Sequence, residues 1–296
     1  MAIERIAIIG TGLIGASVGL ALKKTAPHVT VLGWDRNPAE METALEIGAV
    51  DEALTEYDVT TPGEADVIVL ATPVMPILNW MGKLAPVLGE AQLVTDVGST
   101  KREIAELATE LFNTEVDGRK TARFLPGHPM AGKESGGAAL GDAELFRGAT
   151  WLFTPIADVE SEIELEWRGL VAGFGAVVRD LNPTQHDEVC AWVSHLPQYL
   201  STALAALLQD TFAGDADGLA AVQAIGGRAL RETTRLGASP YSMWRDIAMT
   251  NTENVARTLL ALEQRLQHLR ENLRTPELRD EFATANKFRS KPGASS

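Results

Sequence analysis

The segment Gly127-His128-Pro129-Met130-Ala131-Gly132-Lys133-Glu134 holds one imidazole in a stretch fixed by a proline and by flanking glycines. Near neutral pH an imidazole can accept a hydroxyl proton while hydride leaves the same carbon, which makes His128 a candidate proton acceptor. A second cluster, Ser194-His195-Leu196-Pro197-Gln198, sets another histidine beside a helix-breaking proline and points it at a cleft, although a core histidine would look the same from sequence. A third runs from Arg228 through Arg231 and Arg235 to Met243-Trp244-Arg245-Asp246. Guanidinium forks suit a carboxylate-bearing ligand; most arginines on a helix are solvated, so only one or two of these need face a cleft.

Hydride chemistry needs a carrier, and the start of the chain offers a place for one. An apolar run from Ile3 to Ile9 feeds Gly10-Thr11-Gly12-Leu13-Ile14-Gly15 and then the small-residue stretch Ala16 to Leu22. A buried strand, a G-x-G-x-x-G turn and a helix form the dinucleotide-binding fingerprint. Gly10 permits the tight turn, Gly12 admits a pyrophosphate to the backbone, and Gly15 lets helix and strand pack closely. Val29 to Trp34 reads as a second strand ending at Asp35, where a carboxylate would bind ribose hydroxyls and favour NAD over NADP. Arg36 follows and could stack on adenine or tolerate a phosphate, so NADP stays open. Val67 to Ala71 closes in Thr72-Pro73 at the crevice edge, and Leu93 to Val97 closes in Gly98-Ser99-Thr100-Lys101.

Further strands are expected at Arg123 to Pro126, Thr150 to Thr154 and Ala176 to Leu181, and a helix from Asn37 to Ile47. The alternation predicts an α/β fold of Rossmann type, with a doubly wound parallel sheet over residues 1–182. Beyond Asn182-Pro183-Thr184 the pattern is helical: Thr184 to Phe212 with a kink or break at Pro197, Gly218 to Leu236, and Tyr241 to Leu273. Residues 183–290 are therefore read as an all-helical substrate and dimerisation domain, and 291–296 as a disordered tail. Helical faces this rich in Ala and Leu predict a homodimer, with a compact monomeric bundle as the alternative.

Forty acidic against 26 basic residues give a net charge of −14, which argues against nucleic-acid or anionic-membrane partners. No apolar run reaches membrane-spanning length, and no signal peptide precedes the first strand. Cys190 is the one cysteine, so no intrachain disulfide forms, a cytoplasmic setting fits, and no metal site is expected.

Five of these motifs, in their order and spacing, resemble the prephenate/arogenate dehydrogenase family of tyrosine biosynthesis. They are Gly10 to Ser17, Asp96 to Lys101, Gly127 to Gly132, Ser194 to Pro197, and Met243 to Asp246. The resemblance covers roughly residues 3 to 275. It implies oxidation of a cyclohexadienyl ring with NAD(P) and loss of CO2, giving 4-hydroxyphenylpyruvate from prephenate or tyrosine from arogenate. It further implies that His128 takes the ring hydroxyl proton, that Ser99 orients that hydroxyl, and that Arg235 binds a substrate carboxylate. Glu134 and His195 match cleft residues with gating or binding roles, and Trp244 joins the substrate contacts. Gln198 stands where several prephenate-using members carry a second histidine, so contacts with the substrate side chain are expected to differ. A hydroxyacid dehydrogenase with a similar plan would use a helix-borne lysine, and none occurs between Thr184 and Asn286. A non-catalytic NAD-binding regulator would be expected to have lost His128 or Arg235.

Overall fold

The computed structural model describes residues 2–55, 65–157 and 159–290, so the tail 291–296 lies outside the described residues. Five parallel strands come first: β1 (Arg5–Ile9), β2 (Thr30–Trp34), β3 (Glu52–Ala53), β4 (Val67–Leu70) and β5 (Leu93–Asp96). A small hairpin, β6 (Glu115–Val116) and β7 (Arg119–Lys120), precedes β8 (Arg123–Leu125). The six-stranded sheet runs β3-β2-β1-β4-β5-β8, all parallel. Strand order reverses between β1 and β4, which opens a crevice at their carboxyl ends.

Alternation along β1 builds both cores at once. Ile6 and Ile8 pack with Ala16 and Val18 of α1 (Leu13–Thr25), whereas Ala7 and Ile9 pack with Ile77, Trp80 and Met81 of α3 (Val74–Leu84). Between them, α2 (Pro38–Glu46) starts where Asn37 Oδ1 accepts from Ala39 N at 3.2 Å, with Pro38 in the first turn. The next helix, α4 (Arg102–Leu111), follows β5.

The strand expected at Arg123 to Pro126 ends at Leu125, and the chain passes directly into β9 (Gly127–Pro129). Pro126 has no N–H for the parallel ladder, and Gly127 N turns to Asp96 Oδ1 at 3.2 Å. β9 pairs antiparallel with β10 (Thr150–Phe153), which pairs parallel with β11 (Val177–Asp180). These strands form a second sheet, covered by α5 (Glu162–Gly173), beside the doubly wound one. His128 therefore sits within a strand and not on the loop after one.

Asn182 caps α6 (Pro183–Cys190) by accepting from Gln185 N at 2.8 Å, and no described residue beyond it is in a strand. Pro197 neither breaks nor ends this helical run. The turn Ala191–His195 widens to π geometry, and α7 (Leu196–Thr211) continues from it. The wider turn accommodates the missing proline N–H. The stretch expected as one helix from Gly218 to Leu236 divides at Gly226 and Gly227 (φ +56°) into α8 (Ala216–Ile225) and α9 (Gly227–Thr234), followed by a 3-10 turn, Arg235–Ala238. The next divides at Asn251 into α10 (Tyr241–Thr250) and α11 (Thr252–Glu271), and α12 (Glu277–Arg289) closes the described chain. No helix among the described residues is long and apolar enough to cross a membrane.

Two glycines fix the turn between β1 and α1. Gly10 has φ +97°, and a side chain there would press a Cβ to 2.5 Å from Ala71 O. A Cβ on Gly15 would overlap Gly10 O and lie 3.0 Å from Ile8 Cγ2. Gly15→Ala is accordingly expected to cost about 1–3 kcal/mol of stability through overpacking. Urea denaturation reads this directly, and an unchanged midpoint would contradict the close packing described.

Candidate active site

A cleft of about 580 Å³ opens where the crevice meets the helical residues. The turn after β1 contributes Gly12, Leu13 and Ile14, the end of β4 contributes Thr72 and Pro73, and the loop after β5 contributes Ser99. His128 and Glu134 enter from β9 and the loop beyond it, and Gln198, Arg235 and Trp244 from the helical part. Gly10 and Gly15 lie beneath this lining and shape it. Asp35 and Arg36 stand outside it at the end of β2, where Asp35 accepts from Thr11 N and Asn37 N, each at 2.8 Å. His195 does not line the cleft: it is buried behind Trp244, its ring edge-on to the indole at 5.8 Å. Burial lowers its pKa to about 4, and Asn251 Nδ2 lies 3.3 Å from its Nδ1.

His128 is buried and joined to groups from the helical part. Its Nδ1 lies 2.8 Å from His186 Nε2, and His186 Nδ1 lies 2.8 Å from Asp187 Oδ1. A carboxylate only accepts, so His186 Nδ1 donates and its Nε2 is left with a lone pair. His128 Nδ1 must then be the donor to it. The remaining nitrogen, His128 Nε2, is unprotonated and has no protein partner among the described residues. Burial holds both imidazoles below the usual histidine range, His128 far below, with neighbouring His186 and Lys101 acting the same way on His128. The result is a neutral imidazole with a fixed tautomer and one free lone pair.

Asp187 can impose this order because its own position is fixed. It accepts from Lys101 N at 2.7 Å and Arg102 N at 3.0 Å, capping α4, whose first turn has no cap from its own strand–helix loop. An anion on those N–H groups also meets the positive end of the helix dipole. Nearby, the fully buried Lys101 ammonium pairs with Asp96, which accepts from Gly98 N at 2.8 Å and from Gly127 N. Asp96 thus ties the loop bearing Ser99 to the strand bearing His128. Sequence reading missed His186, Asp187 and the roles of Asp96 and Lys101. The available signal was Gln185-His186-Asp187-Glu188 in the first turns of a capped helix.

On the opposite wall, Arg235 forms an ion pair with Glu134 across the mouth of the cleft. Gln198 is nearly saturated by protein: its Nε2 donates to Leu236 O at 2.6 Å and Thr202 Oγ1 at 3.1 Å, and its Oε1 accepts from Ser239 Oγ at 3.1 Å. The amide therefore holds the Arg235 turn against α7. Ser201 Oγ adds to this by accepting from Gly237 N at 2.9 Å.

A glycine turn at a helix N-terminus, a neutral imidazole with a free lone pair and an arginine on one cleft are what a dinucleotide-dependent oxidoreductase requires. Comparison with known proteins agrees: residues 18–179 match the family model "Prephenate dehydrogenase, nucleotide-binding domain" and 182–287 match "Prephenate dehydrogenase, dimerization domain". The chain belongs to the prephenate dehydrogenase family. It is 36% identical over 269 residues to the prephenate dehydrogenase of Lactococcus lactis, covering 90% of this chain and 70% of that protein. Prephenate dehydrogenase from A. aeolicus, solved with hydroxyphenyl propionate and NAD+, superposes with a TM-score of 0.81 at 28% identity over 97% of this chain and 96% of that one. Synechocystis arogenate dehydrogenase gives 0.75 at 30% identity, covering 97% and 99% of the two chains.

The relay makes a specific demand on Asp187. Asp187→Asn removes the anion that dictates both tautomers, so turnover is expected to fall by about 10²- to 10⁴-fold with much less change in KM. Steady-state kinetics tests this, and a kcat within a few-fold of the parent would show that the relay does not set the acceptor.

Proposed function

We propose that the chain is an NAD-dependent prephenate dehydrogenase of tyrosine biosynthesis, converting prephenate to 4-hydroxyphenylpyruvate and CO2. The observation that carries this reading is the unprotonated His128 Nε2 on a cleft that also holds a nucleotide cradle and Arg235.

The residues present fit NAD. Gly12 begins α1 without a side-chain cap, so the first N–H groups of the helix stay available to a pyrophosphate, and a Cβ at Gly12 would meet nothing within 4 Å. Asp35, held by Thr11 N and Asn37 N, offers its carboxylate to ribose hydroxyls and opposes a 2′-phosphate. Thr72 and Pro73 line the cleft at the end of β4 and would border the bound cofactor. NAD, when bound, accepts the hydride.

On the protein side, Ser99 and His128 hold the ring hydroxyl. His128 Nε2 takes its proton as hydride leaves the same carbon, and the ring carboxylate departs as CO2 while the ring becomes aromatic. The proton then returns from His128 to the ring oxygen, so none is consumed overall. Aromatisation makes the step downhill, which leaves positioning and one proton transfer to the site. Arg235 binds a substrate carboxylate in exchange for Glu134, and Trp244 packs beside it. His195 supports Trp244 from behind, and Gln198 holds the turn that carries Arg235.

Prephenate is favoured over arogenate because Lys133 and Arg235 line the cleft against the single carboxylate of Glu134. That balance suits a keto-acid dianion better than a substrate with an added ammonium. We assign residues 1–182 to the cofactor and 183–290 to the substrate side and to a homodimer, and place the protein in the cytoplasm. Exposed Trp192, Leu207, Ile225 and Phe288 on the helical part supply apolar surface for self-association.

The test follows reduced-cofactor formation with prephenate and arogenate, each with NAD and NADP. Prephenate with NAD should turn over, and His128→Asn should lower kcat by about 10²- to 10⁴-fold. Because burial lowers the His128 pKa, the acceptor is present above that value and lost as pH falls through it. The acid limb of kcat should thus lie below pH 6.5, the unperturbed histidine value. Turnover with arogenate alone would move the specificity, and no turnover in any combination with NAD still bound would overturn the reading.

A further inference from the structure

Helix α6 does more than carry the relay. His186 and Cys190 stand four residues apart and so share one helix face, with Cys190 Sγ 3.6 Å from His186 Nε2. β9 brings His128 Nδ1 to 2.8 Å from that same nitrogen. The three donor atoms lie within 4.8 Å of one another, and all three residues are buried. Asp187 on His186 Nδ1 completes a carboxylate–histidine pair, the arrangement that aims the other ring nitrogen's lone pair at a metal.

We propose that His128, His186 and Cys190 form an inhibitory site for a zinc-type divalent cation, with a water or small anion as the fourth ligand. This rests on the reading of His128 as the proton acceptor. Two imidazoles and a thiolate suit Zn²⁺ and exclude Mg²⁺ or Ca²⁺, which require oxygen donors. Tetrahedral zinc with bonds of about 2.0 Å to nitrogen and 2.3 Å to sulfur sets ligand atoms about 3.3–3.5 Å apart. The 3.6 Å from Cys190 Sγ to His186 Nε2 is already close to this. The two nitrogens must part by about half an ångström, and His128, on the cleft wall, has room on one side to give way. The Lys101 ammonium, whose charge reaches His128, His186 and Cys190, is paired with Asp96.

The exchange balances. The Cys190 thiol proton is released to solvent as sulfur binds the cation, and the His128 proton moves from Nδ1 to Nε2 as Nδ1 becomes a ligand. His128 Nε2–H can then donate but cannot accept, so the bound cation switches off the acceptor. Cys190 takes no part in the reaction itself.

Cobalt(II) and zinc are the probes. One equivalent of Co²⁺ per chain should produce a sulfur-to-cobalt charge-transfer band in the wild-type protein, and Cys190→Ser and Cys190→Ala should lack it. Both variants should keep metal-free turnover, while the zinc concentration for half-inhibition rises by about 10- to 100-fold. Absence of the band in the wild type, or equal zinc inhibition of wild type and a folded variant, would overturn the site. The cobalt spectrum needs no turnover, so failure of the dehydrogenase assignment would be seen separately.

Discussion

The Asp187 carboxylate meets three donors at once: the N–H groups of Lys101 and Arg102 at the start of α4, and His186 Nδ1. One anion thereby caps a helix of the nucleotide-binding part and fixes the tautomers of a histidine pair that spans both parts. Its backbone is fixed in turn, with Asp187 O accepting from Asn251 Nδ2 at 2.9 Å at the break between α10 and α11. The His128 lone pair exists as an acceptor only while the two parts stay docked. Thr100 and Thr250 join hydroxyls across the same seam at 2.7 Å, and Met75 N donates to Asp246 at 3.2 Å.

Such a seam is polar and buried, which makes it demanding. An unpaired group inside it would cost about 1–3 kcal/mol, more if charged. Lys101 and Asp96 are both fully buried and pair with each other, while two backbone N–H groups also donate to Asp96. Removing one partner of such a pair is far more damaging than replacing both, so this network specifies geometry more than it adds stability. The same rule explains Gln198. Its amide is spent on Leu236, Thr202 and Ser239, and its contribution to the cleft is the placement of Arg235.

What the sequence made legible was local. The alternation in Arg5–Ile9, the glycine turn, the Asn37 and Asn182 caps and the switch to helical pattern after Asn182 are all written within a few residues. His128 was legible too, because its neighbours confine it. Its strand was not: Pro126 marks where the parallel ladder must stop, yet only the pairing of Leu152 with His128 shows the chain joining a second sheet. Gln198 does line the cleft, whereas His195 was read as a cleft contact because a helix-breaking proline beside it suggests a break that points at the cleft. The π turn at Ala191–His195 instead keeps the helix running and buries His195. The His128–His186 contact spans 58 residues, and nothing local encodes it. The spacing of His186 and Cys190 on one helix face was readable, but it gains meaning only once β9 arrives beside it.

The central claim is that Asp187 and His186 leave His128 neutral, protonated on Nδ1 and bare on Nε2. Nitrogen-15 NMR of the histidine side chains at neutral pH tests it most directly, with His128 assigned by comparison with His128→Asn. The account predicts an Nδ1–H signal and an unprotonated Nε2 for His128, both persisting below pH 6.5, the ordinary histidine value. A proton on His128 Nε2, or a fully charged ring at neutral pH, would contradict it.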